Sequence, residues 1–315
     1  MFKKRCFIAM MLLVLVVMIS AACSDSSSEH ELSSAQTRTI TDREGYTITL
    51  PVEINSVVTL GPSVAEILVA LGLGDRIIAA DRFTDNVAGL GDGVTRDFGI
   101  TDFDPEYVIE LAPQALIVGS MTRAGGAAGL LDSVNDAGIV VIYIPPSESI
   151  AAIFEDIRFL ADIMGIPETG DNIVMNMQLE IDEVRGIAQT ITAPRSVYFE
   201  ISPAPWMWGT GSGTFLHEMI EIAGAVNIFA EQETGFFAVS EEVLLEANPD
   251  IILTSTEFID DPISEIKSRP GFDTLSAVQN NAIFRIDTAA SNRASPNIII
   301  ALWQIARTVY PEYFT

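Results

Sequence analysis

Residues 106–118 read E-Y-V-I-E-L-A-P-Q-A-L-I-V, and 136 positions later residues 242–254 read E-V-L-L-E-A-N-P-D-I-I-L-T. Each copy has a glutamate seven residues before a proline and an aliphatic run after it. Val108, Ile109 and Leu111, like Val243, Leu244 and Leu245, suit a short helix lying on a sheet, and the proline cannot continue such a helix. The runs 116–118 and 251–253 then read as strands of a parallel sheet covered on both faces. Two such units so far apart predict two α/β lobes, and facing lobes commonly hold a ligand between them. Asp104 and Ser240 stand where N-caps belong, and a carboxylate in the first helical turn is favoured by roughly 0.3 to 1 kcal/mol. Capping accounts for either glutamate alone; their matched placement points to a shared role.

Outward from the first copy, residues 39–50 read as a hairpin turning through Asp42-Arg43-Glu44-Gly45. Strands are expected at 57–60, 77–80 and 139–144, helices at 65–71 and 129–137, and an exposed loop at 81–85. Residues 150–164 carry a helical apolar period, and 168–190 read as one helix about 35 Å long, with Ile173, Val174, Met177, Leu179, Ile181, Val184 and Ile187 on its apolar face. This helix is a strut between the lobes. The second lobe opens with a strand at 195–200 and a Pro/Gly-rich loop through Trp206 and Trp208. A helix from near Thr214, a strand at 282–286 and a last helix at 296–310 follow. The expected architecture is two Rossmann-like α/β lobes, 37–167 and 193–315, with mainly parallel sheets, joined by the helix 168–192 and enclosing a ligand cleft.

The N-terminus carries Lys3, Lys4 and Arg5, an apolar stretch at 7–19, then Ser20-Ala21-Ala22-Cys23. This is a secretory signal over 1–22, too short for the roughly 20 residues of a spanning helix. Cys23 after two alanines resembles a lipobox, although Ser20 stands where leucine is usual. The polar, serine-rich residues 23–36 suit a disordered tether from a lipid anchor. Of the two cysteines, Cys6 leaves with the signal and Cys23 is the anchor, so no disulfide forms and packing must supply the stability of the remaining ~280 residues. Losing Lys3, Lys4 and Arg5 from 17 Lys+Arg, with 43 Asp+Glu kept, moves the formal charge from -26 to -29. So acidic a surface argues against nucleic acid and against anionic lipid headgroups.

Residues 57–72 (V-V-T-L-G-P-S-V-A-E-I-L-V-A-L-G), the two Glu-to-Pro repeats and Asn292-Arg293-Ala294-Ser295-Pro296 together resemble the substrate-binding proteins of ABC importers for iron-siderophore complexes, cobalamin and haem. The resemblance spans residues 37–314. It implies two lobes joined by one long helix that limits hinge motion, a ligand in the cleft, and one rim glutamate per lobe pairing with arginines of the permease dimer. That role falls on Glu106 and Glu242. An exposed ion pair contributes about 0 to 1 kcal/mol, so it would set orientation and register more than affinity.

Ligands of parallel α/β sheets bind at the strand C-terminal ends. The loops there carry Arg82, Phe83, Met121, Arg123, Trp206, Trp208, Phe236 and Arg293, with Phe237 divided between core and cleft. Aromatic faces suit large planar or catecholate ligands, and arginines suit a chelate's negative charge. Phe83 and Phe236 match aromatic positions of cobalamin-binding relatives, whereas Ile100 stands where those can have tryptophan.

An enzyme reading finds little support. Gly209-Thr210-Gly211-Ser212-Gly213 matches neither G-x-S-x-G nor the dinucleotide fingerprint, and Ser212 reads as helping to begin a helix. His30 lies in the tail and His217 on the expected surface of a helix, so no His/Cys metal cluster and no cofactor is expected. His217 as an axial haem ligand is a minor alternative. The expectation is a lipid-anchored extracytoplasmic receptor, at a cell surface or in a periplasm, that delivers a ferric siderophore or similar bulky metal chelate to a permease. Cobalamin and haem are the alternatives within that class; a surface adhesion or sensory module on the same scaffold is the alternative outside it.

Overall fold

The computed structural model describes residues 36–231 and 234–314, so the expected signal, Cys23 and the tether before Gln36 lie outside the described residues. In chain order the elements are β1 Thr37–Thr41, β2 Thr47–Pro51, β3 Val57–Leu60, α1 Pro62–Ala70, β4 Ile77–Asp81, β5 Thr95–Phe98, α2 Pro105–Leu111, β6 Ala115–Val118, α3 Ser120–Ala124, α4 Ala128–Asp136, β7 Val140–Tyr143, α5 Ile150–Ile163 and α6 Pro167–Ala188. Then come β8 Ser196–Ser202, β9 Trp208–Thr210, α7 Phe215–Ile222, β10 Val226–Asn227, β11 Phe236–Ala238, α8 Glu241–Ala247, β12 Ile251–Thr254, α9 Pro262–Ser268, α10 Ser276–Gln279, β13 Ile283–Arg285, α11 Thr288–Asn292 and α12 Ile298–Val309. Among the described residues no helix is long and apolar enough to cross a membrane.

The two halves each build a sheet. β1 and β2 form a separate hairpin, and the first sheet runs β5-β4-β3-β6-β7 with every pair parallel. The second runs β11-β9-β8-β12-β13, with β8, β12 and β13 parallel, β10 also beside β8, and β9 antiparallel to both β8 and β11. β3, β6 and β12 are buried along their whole length, as unbroken aliphatic runs require in a sheet covered on both faces.

Alternation decides which core each side chain enters. Val57, Ile117 and Ile142 of the first sheet, with Val197, Phe199 and Leu253 of the second, join one apolar core that also takes in α1, α5, α6, α7 and α12. The opposite faces feed two smaller cores: Val58, Leu116 and Val118 with Val108 and Val134, and Tyr198, Ile252 and Ile283 with Leu244 and Ile266. A shared apolar core makes the halves one compact unit over Thr37–Thr315. Large relative motion would have to expose that core, which opposes wide hinge opening.

α6 connects the sheets and, at 22 residues, is about 33 Å long. Val174, Met177, Ile181 and Val184 of its expected apolar face are buried, but Leu179 is exposed. Two residues from both Met177 and Ile181, it points roughly 200° away from each.

The repeat is preserved element for element. α2 and α8 are offset by 136, as are β6 and β12, and each helix ends on a left-handed residue, Ala112 or Asn248, before its proline. Gln114 and Asp250, one position past the prolines, also act alike. Gln114 accepts the Asn55 and Ser56 N–H groups, and Asp250 accepts the Ser196 N–H and hydroxyl, so each ties its unit to the start of the neighbouring central strand.

Candidate functional site at the strand ends

Parallel pairing sets the C-terminal ends of β3 to β7 on one edge of the first sheet and those of β8, β12 and β13 on one edge of the second. α2 and α8 run back to the starts of β6 and β12, so their own first turns lie at those same edges. Glu106 and Glu242 occupy the second position of each helix and are exposed. The caps are as expected: the Asp104 carboxylate accepts the Glu106 N–H at 2.9 Å, and the Ser240 hydroxyl accepts the Val243 N–H at 3.3 Å. Hydrogen bonds from its own N–H and from the Ser240 hydroxyl hold the Glu242 carboxyl below its usual value.

The two edges meet at Arg293, which follows α11. Its guanidinium donates to Glu66 Oε1 (2.6 Å), the Phe83 carbonyl (3.0 Å) and Asn86 Oδ1 (2.9 Å), all in the first half of the chain. The two motifs at 57–72 and 292–296 are therefore contact partners.

Asp81 departs from the expected exposed loop at 81–85: it and Thr84 are fully buried. The Asp81 carboxylate accepts the Gly61 N–H (2.8 Å) and the Phe83 N–H (2.9 Å), so it holds together the loops after β3 and β4. Burial raises its pKa against those hydrogen bonds. Beside it, Phe83 is 53% exposed, with the Arg82 guanidinium 5.8 Å from its ring centre. Arg82 pairs with Asp102 at 3.2 Å.

After β6, Met121 is 67% exposed. Arg123 pairs with Glu44 at 2.5 Å and lies over the Tyr143 ring at 4.9 Å. The hairpin turn thus reaches the site, fixed by Arg43 on Asp156 and Glu155.

In the second half Trp206 is 77% exposed, and Trp208 and Phe236 are half-exposed. Phe236 pairs with Thr210 and Ala238 with Trp208, so Trp208 and Phe236 are diagonal neighbours on one face of the β9/β11 ribbon. Phe237, opposite Gly209, points the other way, and its ring meets Phe229 edge-on at 5.2 Å. It belongs to the core.

Two other sequence readings change. His217 is not a surface residue; its ring is mostly buried against Asn227 and Glu221. Thr214, not Ser212, caps α7, accepting the His217 N–H. Ile100 is buried. Among the described residues no group of three or more His, Cys, Asp or Glu is placed to hold a metal ion.

Residues 57–290 match the model of a family described as periplasmic binding protein. The chain belongs to the periplasmic binding protein family. It is similar to an uncharacterized ABC transporter substrate-binding lipoprotein of Bacillus subtilis, 27% identical over 88% of this chain and 86% of that one. It is also similar to a vitamin B12-binding protein of Vibrio cholerae, 25% identical over 81% of this chain and 89% of that one. Among solved structures, a possible iron-binding periplasmic solute-binding protein of Staphylococcus epidermidis superimposes with a TM-score of 0.72 at 25% identity, over 82% of this chain and 99% of that one. These relatives are named as solute-binding and transport proteins, and their family is extracytoplasmic.

Sequence reasoning about this periplasmic binding protein missed several groups around the site. Phe258, in the loop after β12, is 73% exposed; it lies one repeat beyond the segment holding Met121, a signal the offset of 136 contains. Glu66 and Glu200 stand inside the runs V-A-E-I-L and Y-F-E-I, and a carboxylate there demands a buried partner. Glu66 finds Arg293. Glu200 finds Arg269, whose guanidinium donates to both its oxygens at 2.5 and 3.0 Å and to Glu265 as well. Burial raises the Glu200 pKa, and the same neighbours hold Arg269 firmly protonated.

Proposed function

We propose that this periplasmic binding protein is the substrate-binding component of an ABC importer, capturing a ferric siderophore or similar bulky metal chelate and delivering it to the permease dimer. The observation that carries the reading is the pair of exposed carboxylates, Glu106 and Glu242, at equivalent positions of two repeat units and at the strand-end edge of each sheet. In this reading they grip the permease. The lobes are 37–167 and 193–315, the helix 168–192 joins them, and Cys23 carries the lipid anchor. Phe83, Met121, Trp206, Trp208 and Phe236 contact the ligand. Their exposed apolar surface, on an otherwise acidic protein, supports a bound partner of matching character.

One observation favours cobalamin as a second reading. The three arginines expected in the cleft are each matched by a carboxylate: Arg82 with Asp102, Arg123 with Glu44 and Arg293 with Glu66. Those three therefore offer little free positive charge to a trianionic ferric tris-catecholate, whereas an uncharged macrocycle needs mainly the aromatic faces. The similarity to vitamin B12-binding proteins agrees with this.

Quenching of tryptophan fluorescence tests both readings, with a Trp206→Phe/Trp208→Phe variant isolating the signal from Trp303. Titration with a ferric tris-catecholate, a ferric tris-hydroxamate, cyanocobalamin and haem should give saturable quenching with at least one. Failure of all four would remove the chelate-capture reading.

A further inference from the structure

We infer that Arg293 is a positioning residue, which sets Phe83 for the ligand by gripping its backbone from the opposite half of the molecule. Phe83 is held at both ends of its own backbone. Its N–H donates to Asp81 Oδ1 at 2.9 Å, within the first half, and its carbonyl accepts from Arg293 at 3.0 Å, across the gap. The other guanidinium bonds, to Glu66 and Asn86, leave Arg293 little freedom to turn toward a ligand. Glu66 is doubly engaged, since its second oxygen accepts the Ser295 hydroxyl. Its carboxylate is thus held by two donors from one short segment of the second half.

Both ion-pair partners are largely withdrawn from water, the side chains being 15% and 4% exposed. A pair so placed is costly to break from one side, because the remaining charge stays buried without its partner. The half-exposed Phe83 ring gains less orientation from packing than a core ring does, so its placement rests on the backbone grips together with the Arg82 guanidinium 5.8 Å from its ring centre. Arg293 connects this ring to the second half, and any widening between the halves must pull on the same bonds. A guanidinium can hold three acceptors in one plane; a lysine ammonium cannot reproduce that fork.

The affinity arm of the test rests on the chelate-binding reading above, and the spectroscopic arm does not. In the full chain, 4-fluorophenylalanine placed at position 83 should give one narrow 19F resonance without ligand. Arg293→Lys should broaden or split it, and Glu66→Gln, the variant that decides if Arg293→Lys does not fold, should do the same. An unchanged resonance in the folded variants would overturn the inference.

With cyanocobalamin and the two ferric chelates as probes, Arg293→Lys should weaken every probe that binds by about tenfold. In a Phe83→Ala background the same change should cost less than about twofold. A loss that scales with the probe's negative charge, undiminished in that background, would instead make Arg293 a direct ligand contact. If no probe binds, the importer reading fails, and the resonance still decides the role of Arg293.

Discussion

The unit α2-β6 and its counterpart α8-β12 follow the same path residue for residue, yet their surfaces differ. In the first, Tyr107 stacks on Phe98 at 5.2 Å and covers the helix flank. In the second the equivalent residue is Val243, half-exposed, and it lines a groove of about 500 Å³ with Phe237 and Ala238. What recurs is the backbone route, the cap, the left-handed stop and the exposed glutamate. Packing needs explain the first three, because helix ends require partners for their unpaired N–H and C=O groups. They do not explain why the same surface carboxylate stands on two different flanks.

The largest contrast should come from the helix anchors, Val108 and Leu244, which are equivalent and both fully buried. Leu244→Ala should cost about 3 kcal/mol and Val108→Ala about 2 kcal/mol in denaturant unfolding, following the volume each leaves empty. Equal small losses would mean that the helices do not depend on their sheets.

Next are the caps. Asp104→Ala and Ser240→Ala should each cost about 1 kcal/mol, measured the same way, and a loss at one cap alone would break the equivalence.

Effects no larger, and opposite in sign, are expected at the stops, where Ala112 and Asn248 both have positive φ. Asparagine tolerates the left-handed region and alanine does not, so Ala112→Gly should stabilise by about 0.5 to 1 kcal/mol, whereas Asn248→Gly should cost about 1 kcal/mol by removing the acceptor of the Ser276 N–H.

The smallest effect concerns one buried carboxylate near the strand ends of each half, Asp81 and Glu200, both with pKa raised by burial. A raised carboxyl binds its proton more tightly in the folded state. Stability should therefore rise as pH falls from neutral toward the unfolded-state values, then lose this gain on returning to neutral. Calorimetry should show the midpoint rising as pH is lowered from neutral toward the ordinary carboxylate range. Asp81 has only N–H donors and Glu200 has a guanidinium, so Arg269→Met should enlarge the pH response of the second half.

Much of this was legible because it is local. Period, proline position and cap residues place α2, β6, α8 and β12 within a residue or so. Exposure of Trp206 follows from a segment rich in proline and glycine. β5 escaped because T-R-D-F has no apolar run; it is an edge strand that depends on pairing with β4. The β9/β11 ribbon escaped because its order depends on contact with β8. The Arg293–Glu66 bond joins positions 227 residues apart, and only the fold brings them together. By sequence alone Arg293 groups with ligand contacts, since an arginine beside a strand end reads the same whether it faces a ligand or another lobe.

Uptake of the bound chelate by cells carrying the Glu106→Ala/Glu242→Ala chain bears most directly on the paired-carboxylate reading, with affinity measured in parallel on the purified protein. Loss of uptake by more than about tenfold, with affinity unchanged, is the expected result. Uptake at the rate of the unaltered protein would contradict it, leaving the two glutamates as helix-end residues and nothing more.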